Sequence, residues 1–219
     1  MTIQAAGLTA LNPKEALTSA SAILDAGYEG IVLQSPLHQE AWQALLDLLP
    51  RDSVKAIQLF LPYPRGLQPG SLAPYEPAAA GRQEREQAFA QARKTLEAAD
   101  RIGAPMVLLP ITRLEERGLS WGYRPPTVAP EAAEYQLREA CREISLRMDS
   151  LLILLSRMLE QAERYGLTIC LVPSNRSGEF PLVQESFACL HEFEGADMGL
   201  WLDSSRFPDE LLPLPVISD

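Results

Sequence analysis

The feature that most constrains this chain is its alternation of short apolar runs with longer stretches of helical periodicity, sustained over nearly its whole length. Residues 3–8 read as a short strand, and Asn12-Pro13 supplies an N-cap followed by a first-turn proline. Ala16, Leu17, Ala20, Ile23 and Leu24 then recur at helical spacing until Gly27 closes the helix. The run Gly30-Ile31-Val32-Leu33 has no polar face, the mark of a strand covered on both sides. A helix carrying Trp42, Leu45, Leu46 and Leu49 stops at Pro50, and 54–61 is a third strand. An amphipathic helix over 82–102 ends at Gly103, and 106–110 is a fourth strand. A helical pattern over 131–165, one long or broken helix, leads to a fifth strand at 167–172. A helix at 182–193 and a sixth strand at 198–202 follow. Such alternation implies parallel strands joined by right-handed crossovers. Two architectures satisfy it, a (β/α) barrel and an open doubly wound sheet, and both place a ligand at the carboxyl ends of the strands.

Length and composition narrow the function classes. The 219 residues suffice for one core, so a single domain over 1–219 is expected. Nineteen basic against twenty-nine acidic residues give a net charge of −10, which disfavours nucleic acid and anionic membrane surfaces as partners. The longest wholly aliphatic run, residues 151–155, is far below the roughly 18 residues of a membrane span. The first residues lack the basic-then-apolar layout of a signal peptide, so a cytoplasmic location is expected. Cys141, Cys170 and Cys189 lie in apolar periodic segments with no paired spacing, and read as buried thiols in a reducing compartment. Neither GxGxxG nor GxxxxGK[ST] occurs, so no nucleotide fingerprint is present. Two loops are long enough to cover a site: 62–81, which is rich in proline and glycine, and 112–130, which carries Trp121 and Tyr123.

Four segments, "ILDAGYEGIVL" (23–33), "ARKTLEAADRIGAPMVLLP" (92–110), "LSRMLEQAERYGLTICLVP" (155–173) and "GLWLDSSR" (199–206), resemble in order the xylose isomerase-like TIM-barrel superfamily. That group contains sugar and sugar-phosphate isomerases and epimerases and the metal-dependent apurinic endonucleases. The resemblance implies an α/β fold, here an incomplete (β/α) TIM-type barrel of about six parallel strands. It also implies a divalent metal held by carboxylates and histidines at the strand ends. This sequence departs from that pattern. Val172 stands where the resemblance implies a glutamate, Val32 where it implies an acidic residue, and Arg206 where it implies the histidine of Asp-x-x-His. Asp203 alone is kept. A catalytic divalent site needs three or more convergent ligands, and His38 and His191 fall on helices. The metal site is therefore expected to be lost, with no metal and no cofactor, and with it the usual metal-polarised proton transfer.

What remains at the strand ends is basic and polar. Arg65, Arg113, Arg176 and Arg206 each follow a strand, and guanidinium forks bind phosphate or carboxylate bidentately. The bland alternative pairs each with a nearby acid such as Glu115, Glu179 or Asp209. Asn175, Ser174 and Gln34 follow strands too, as orienting groups or as ordinary turn residues. Tyr63, Trp121 and Tyr123 are either a sugar-stacking wall or pins for the two loops. The expected ligand-binding set is Arg65, Arg113, Asn175, Arg176, Asp203 and Arg206. The expected function is binding of a small anionic or sugar-like ligand, or of a protein partner. The alternative is an active sugar or sugar-phosphate isomerase or epimerase. Six strands leave two sheet edges, and the apolar residues Leu211, Leu212, Leu214, Val216 and Ile217 lie beyond the last of them. A homodimer that buries the open side, with these residues at its interface, is expected.

Overall fold

The structure, a computed structural model, describes residues 5–8, 13–33, 45, 47, 49, 52–58, 78, 81–109, 112–113, 130–174 and 179–202. Of residues 5–8, 13, 112–113, 130–140 and 179 it describes the backbone alone. The elements are β1 (Ala5–Leu8), α1 (Pro13–Asp25), β2 (Gly30–Leu33), β3 (Val54–Gln58), α2 (Arg82–Ile102) and β4 (Met106–Leu109). They continue with β5 (Thr112–Arg113), α3 (Pro130–Tyr165), β6 (Thr168–Leu171), β7 (Glu179–Phe180), α4 (Val183–Glu192) and β8 (Met198–Leu200). The helix expected around Trp42 and Leu49 lies mostly outside the described residues.

Three helices stop in the same way. Gly27, Gly103 and Gly166 adopt φ of 88°, 76° and 63°, which an L side chain resists. Beyond each glycine the next amide reaches back five residues: Tyr28 to the Ile23 carbonyl (3.4 Å), Ala104 to Ala99 (2.9 Å) and Leu167 to Ala162 (3.0 Å). The chain is thereby turned into the following strand within three residues.

Six strands form one parallel sheet in the order β1-β2-β3-β4-β6-β8, each beside its predecessor in the chain. A doubly wound sheet would reverse direction part-way and carry helices on both faces. Here the core is one-sided. Ala16 and Ala20 of α1, Ala92, Leu96 and Ala99 of α2, Leu151, Leu155 and Met158 of α3, and Cys189 of α4 pack on Ile31, Leu33, Ile57, Val107, Leu109, Ile169 and Leu171. The alternate strand residues Val32, Ala56, Leu108, Cys170 and Val172 form a second cluster, joined by Met106 and Trp201, that contains no helix residue. One face under helices and one lined by strands alone is the barrel arrangement. Among the described residues β1 and β8 are each paired on one side only, so the barrel is open.

The helical pattern over 131–165 resolves as one continuous 36-residue helix. It packs along α2 through Arg157, whose Nη1 and Nη2 donate to Glu86 Oε1 and Oε2 at 2.8 and 3.1 Å while the guanidinium lies 3.7 Å over the Phe89 ring. Higher up α3, Arg147 donates to the Ala78 carbonyl at 3.3 Å and pairs with Glu143 at 3.5 Å. Cys170 and Cys189 are buried thiols as expected, but Cys141 is exposed. Among the described residues the main core takes no side chain of α3 before Ile144, so Cys141 lies beyond the covered part of the helix.

Candidate functional site

Parallel strands direct their carboxyl ends to one rim, and the loops above that rim carry whatever chemistry the chain performs. In the sheet register Gln58, Leu108, Cys170 and Gly199 form one row, each beside the next. Leu108 and Cys170 belong to the inner cluster, so the half-buried Gln58 lies on the same inner face. One level higher, the Val172 amide donates to the Leu109 carbonyl (3.1 Å) and the Trp201 amide to the Leu171 carbonyl (2.8 Å). Val172 and Trp201 are therefore neighbours at the rim, Val172 only 8% exposed and Trp201 half-buried against the inner cluster.

The segment after β6 is tied back on itself. Ser174, 1% exposed, donates its amide to the Pro181 carbonyl at 2.9 Å and bridges Leu182. The Leu182 amide in turn donates to Glu185 Oε2 (3.1 Å), and Ser186 Oγ donates to the Leu182 carbonyl (2.9 Å), which together start α4. The two-residue strands β5 and β7 pair antiparallel, Thr112 with Phe180 and Arg113 with Glu179. This pair links the loop after β4 to the loop after β6, and Phe180, 1% exposed, anchors it in the main core. Both strands fall in stretches read from the sequence as loop, because two residues are too few to show a period.

Among the expected ligand-binding residues, Arg113 is placed by its backbone, directly opposite Glu179. Arg65, Asn175, Arg176, Asp203 and Arg206 lie outside the described residues, as do Gln34, His38, Tyr63, Trp121 and Tyr123. Ser174 is at the rim but buried. His191 is exposed in the last turn of α4, at the end of the barrel remote from the strand carboxyl ends. Sequence reasoning passed over Trp201 and Gln58. The available signal was parity: within the expected strand 198–202, Trp201 shares a face with Gly199 and lies opposite Met198 and Leu200.

The inner face is chemically quiet. Burial holds the Cys170 thiol up at about 11, with the Asp197 carboxylate adding to the effect, so at neutral pH it is a protonated, non-nucleophilic group. Val32, 3% exposed, and Val172 occupy two of the strand positions at which the resemblance implies metal-binding acids. Among the described residues no three His, Cys, Asp or Glu side chains converge. A hard divalent cation prefers oxygen ligands, and the described donor set does not fit one. No helix of the described residues is long and apolar enough to cross a membrane.

No protein-family model matches the sequence, and no curated protein matches it either. Solved structures do match. A 3-keto-D-glucoside 4-epimerase from E. coli aligns with 92% of this chain and 68% of its own at 15% identity and a TM-score of 0.60. An L-ribulose 3-epimerase aligns with 93% of this chain and 61% of its own at 15% identity and a TM-score of 0.61. A family 2 AP endonuclease from Brucella melitensis aligns with 92% and 69% at 14% identity and a TM-score of 0.57. The chain thus spans about two thirds of the length of the structures it matches. With the one-sided helix layer and sequential strand order, these likenesses identify the fold as the (β/α) barrel of those structures, in an open six-stranded form among the described residues.

Proposed function

We propose that this chain is a metal-free barrel of the xylose isomerase-like type that binds a small anionic or sugar-like molecule at the carboxyl rim of its sheet. The observation that carries the reading is the apolar rim. Val32 and Val172 occupy positions at which the resemblance implies metal-binding acids, and Trp201 lies beside Val172. Charge recognition then falls to the loop residues Arg65, Arg113, Arg176 and Arg206, with Asn175 and Asp203 as hydrogen-bonding partners. Trp201 and Gln58 supply an apolar face and an amide beneath them. Among the described residues the inner apolar cluster holds one ionisable group, Cys170, and a thiol protonated at neutral pH cannot abstract a proton. A homodimer built on the open edges completes the proposal.

Calorimetric titration with Mn²⁺, Mg²⁺ and Zn²⁺, followed by titration with inorganic phosphate and with free and phosphorylated ketoses, tests the reading. The expected result is no stoichiometric metal binding and saturable binding of at least one sugar or anion. Tight binding of one metal ion per chain would overturn it.

A second reading, an active sugar or sugar-phosphate epimerase or isomerase, draws support from the matched structures, which include a 3-keto-D-glucoside 4-epimerase and an L-ribulose 3-epimerase. Proton transfer beside a carbonyl exchanges that carbon's hydrogen with solvent, so deuterium uptake by a ketose incubated with the protein in D₂O separates the two.

A further inference from the structure

Gln58 stands in a row whose other members share none of its chemistry. Across the inner face of the sheet that row runs Gln58, Leu108, Cys170, Gly199: an amide, an isobutyl group, a thiol and no side chain. Leu108 and Cys170 are 2% and 4% exposed and pack with Val32, Ala56 and Val172. Gln58 and Gly199 are half-buried and keep contact with solvent. Trp201, two residues after Gly199 in an extended strand, lies one level nearer the rim on the same face.

Gly199 is not required by the backbone. Its φ is not left-handed, and a Cβ built there would meet Cys170 Sγ at 3.6 Å, an ordinary van der Waals contact. What the glycine provides is clearance on the side facing Cys170. Gln58 is likewise not what packing alone would select, since a leucine would continue the apolar row. An amide set beside hydrocarbon costs free energy until it is hydrogen-bonded, and it offers two donors and an acceptor to whatever approaches.

We propose that Gln58 and Gly199 set the orientation of the ligand. An uncharged, hydroxylated end passes Trp201, enters the clearance at Gly199 and is bound by the Gln58 amide, while any anionic group stays above at the rim. The inference rests on the reading of the rim as a site for a sugar-like or anionic molecule, and it assigns the sugar end its place. A hydroxyl both donates and accepts, as the amide does. A phosphate or carboxylate at this level would lose its water against Leu108 and beside a thiol that stays protonated, with no counter-charge in the row.

The test is a titration of the ¹⁵N-labelled full chain with D-fructose and, separately, with inorganic phosphate, followed on the assigned side-chain amide of Gln58. Fructose is expected to shift that resonance saturably and phosphate to leave it in place. Fructose binding that leaves the resonance unmoved would overturn this inference alone. A shift with phosphate, or binding of phosphate without fructose, would overturn the orientation. No saturable binding of either probe would overturn the rim-site reading itself. Gln58→Leu is expected to weaken fructose binding about tenfold, leave phosphate binding unchanged, and keep or raise the urea midpoint. A lower midpoint with unchanged fructose affinity would make Gln58 a structural residue and overturn its role. Gly199→Ala is expected to fold as well as the unsubstituted chain and to bind fructose about tenfold more weakly. Unchanged affinity there would overturn the use of the clearance. The titration of the unsubstituted protein stands even if a variant fails to fold.

Discussion

Phe180 is the point at which the rim is fastened to the core, and its truncation gives the sharpest test of that architecture. Among the described residues the ring, 1% exposed, is the largest fully buried side chain, yet it sits on a two-residue strand paired with Thr112 and Arg113. Removing a buried phenylalanine ring costs about 3–5 kcal/mol, the spread reflecting how far the site can collapse. A short strand between loops relaxes more readily than a helix, which places Phe180→Ala near the lower end, at about 3 kcal/mol. For a chain of this length that corresponds to a fall in Tm of about 6–12 °C. Phe180→Leu retains most of the contact and is expected to cost about 1 kcal/mol. Urea denaturation followed by circular dichroism gives both numbers. A change within about 0.5 kcal/mol for Phe180→Ala, the range of a surface substitution, would refute Phe180 as an anchor.

Thiol titration of the native protein is expected to modify Cys141 rapidly and to spare Cys170 and Cys189 until unfolding, since the first is exposed and the others are buried; rapid reaction of all three would contradict the packing. Burial raises both buried thiols from 9.0 to about 11, so their contribution to stability is full below pH 9 and lost as the pH rises from there toward 11, readable as a falling urea midpoint. Arg157 holds the Glu86 carboxyl below its ordinary 4.5, chiefly by the two-pronged hydrogen bond, so its contribution is present above that pH and fades as the pH falls below it. Arg157→Lys is expected to narrow that pH dependence, and an unchanged profile would show the pair to be inert. Light scattering at tens of micromolar is expected to report a homodimer, and a monomer would mean that both sheet edges are sealed within one chain.

Much of this fold is legible because each element carries a local signature. The glycines at 27, 103 and 166 mark three helix ends to within two residues, since a positive φ there has a steric cause that sequence alone reveals. The apolar runs in β2, β4 and β6 read as strands because both their faces are covered. The choice between barrel and doubly wound sheet was not legible in the periodicity, and it was the resemblance of four segments that implied the barrel. It depends on which face each helix covers, a long-range fact settled only by finding α1, α2, α3 and α4 on one side. The pair β5–β7 was hidden for the same reason, since Thr112 and Phe180 meet across 68 residues of chain.

The candidate site was legible by its substitutions and hidden in its substance. Val32 and Val172 are conspicuous against the resemblance, and the structure shows what they do instead: with Leu108, Cys170 and Trp201 they extend the apolar interior up to the rim. An interior that is apolar at the rim changes what the loops can recruit. A cation there would find hydrocarbon below it, whereas the apolar face of a ligand can lie against Trp201. Exchanging Val172 for glutamate would place a carboxylate beside Cys170 and Trp201 without a second ligand among the described residues, so the added charge is expected to cost stability, readable as a lower urea midpoint.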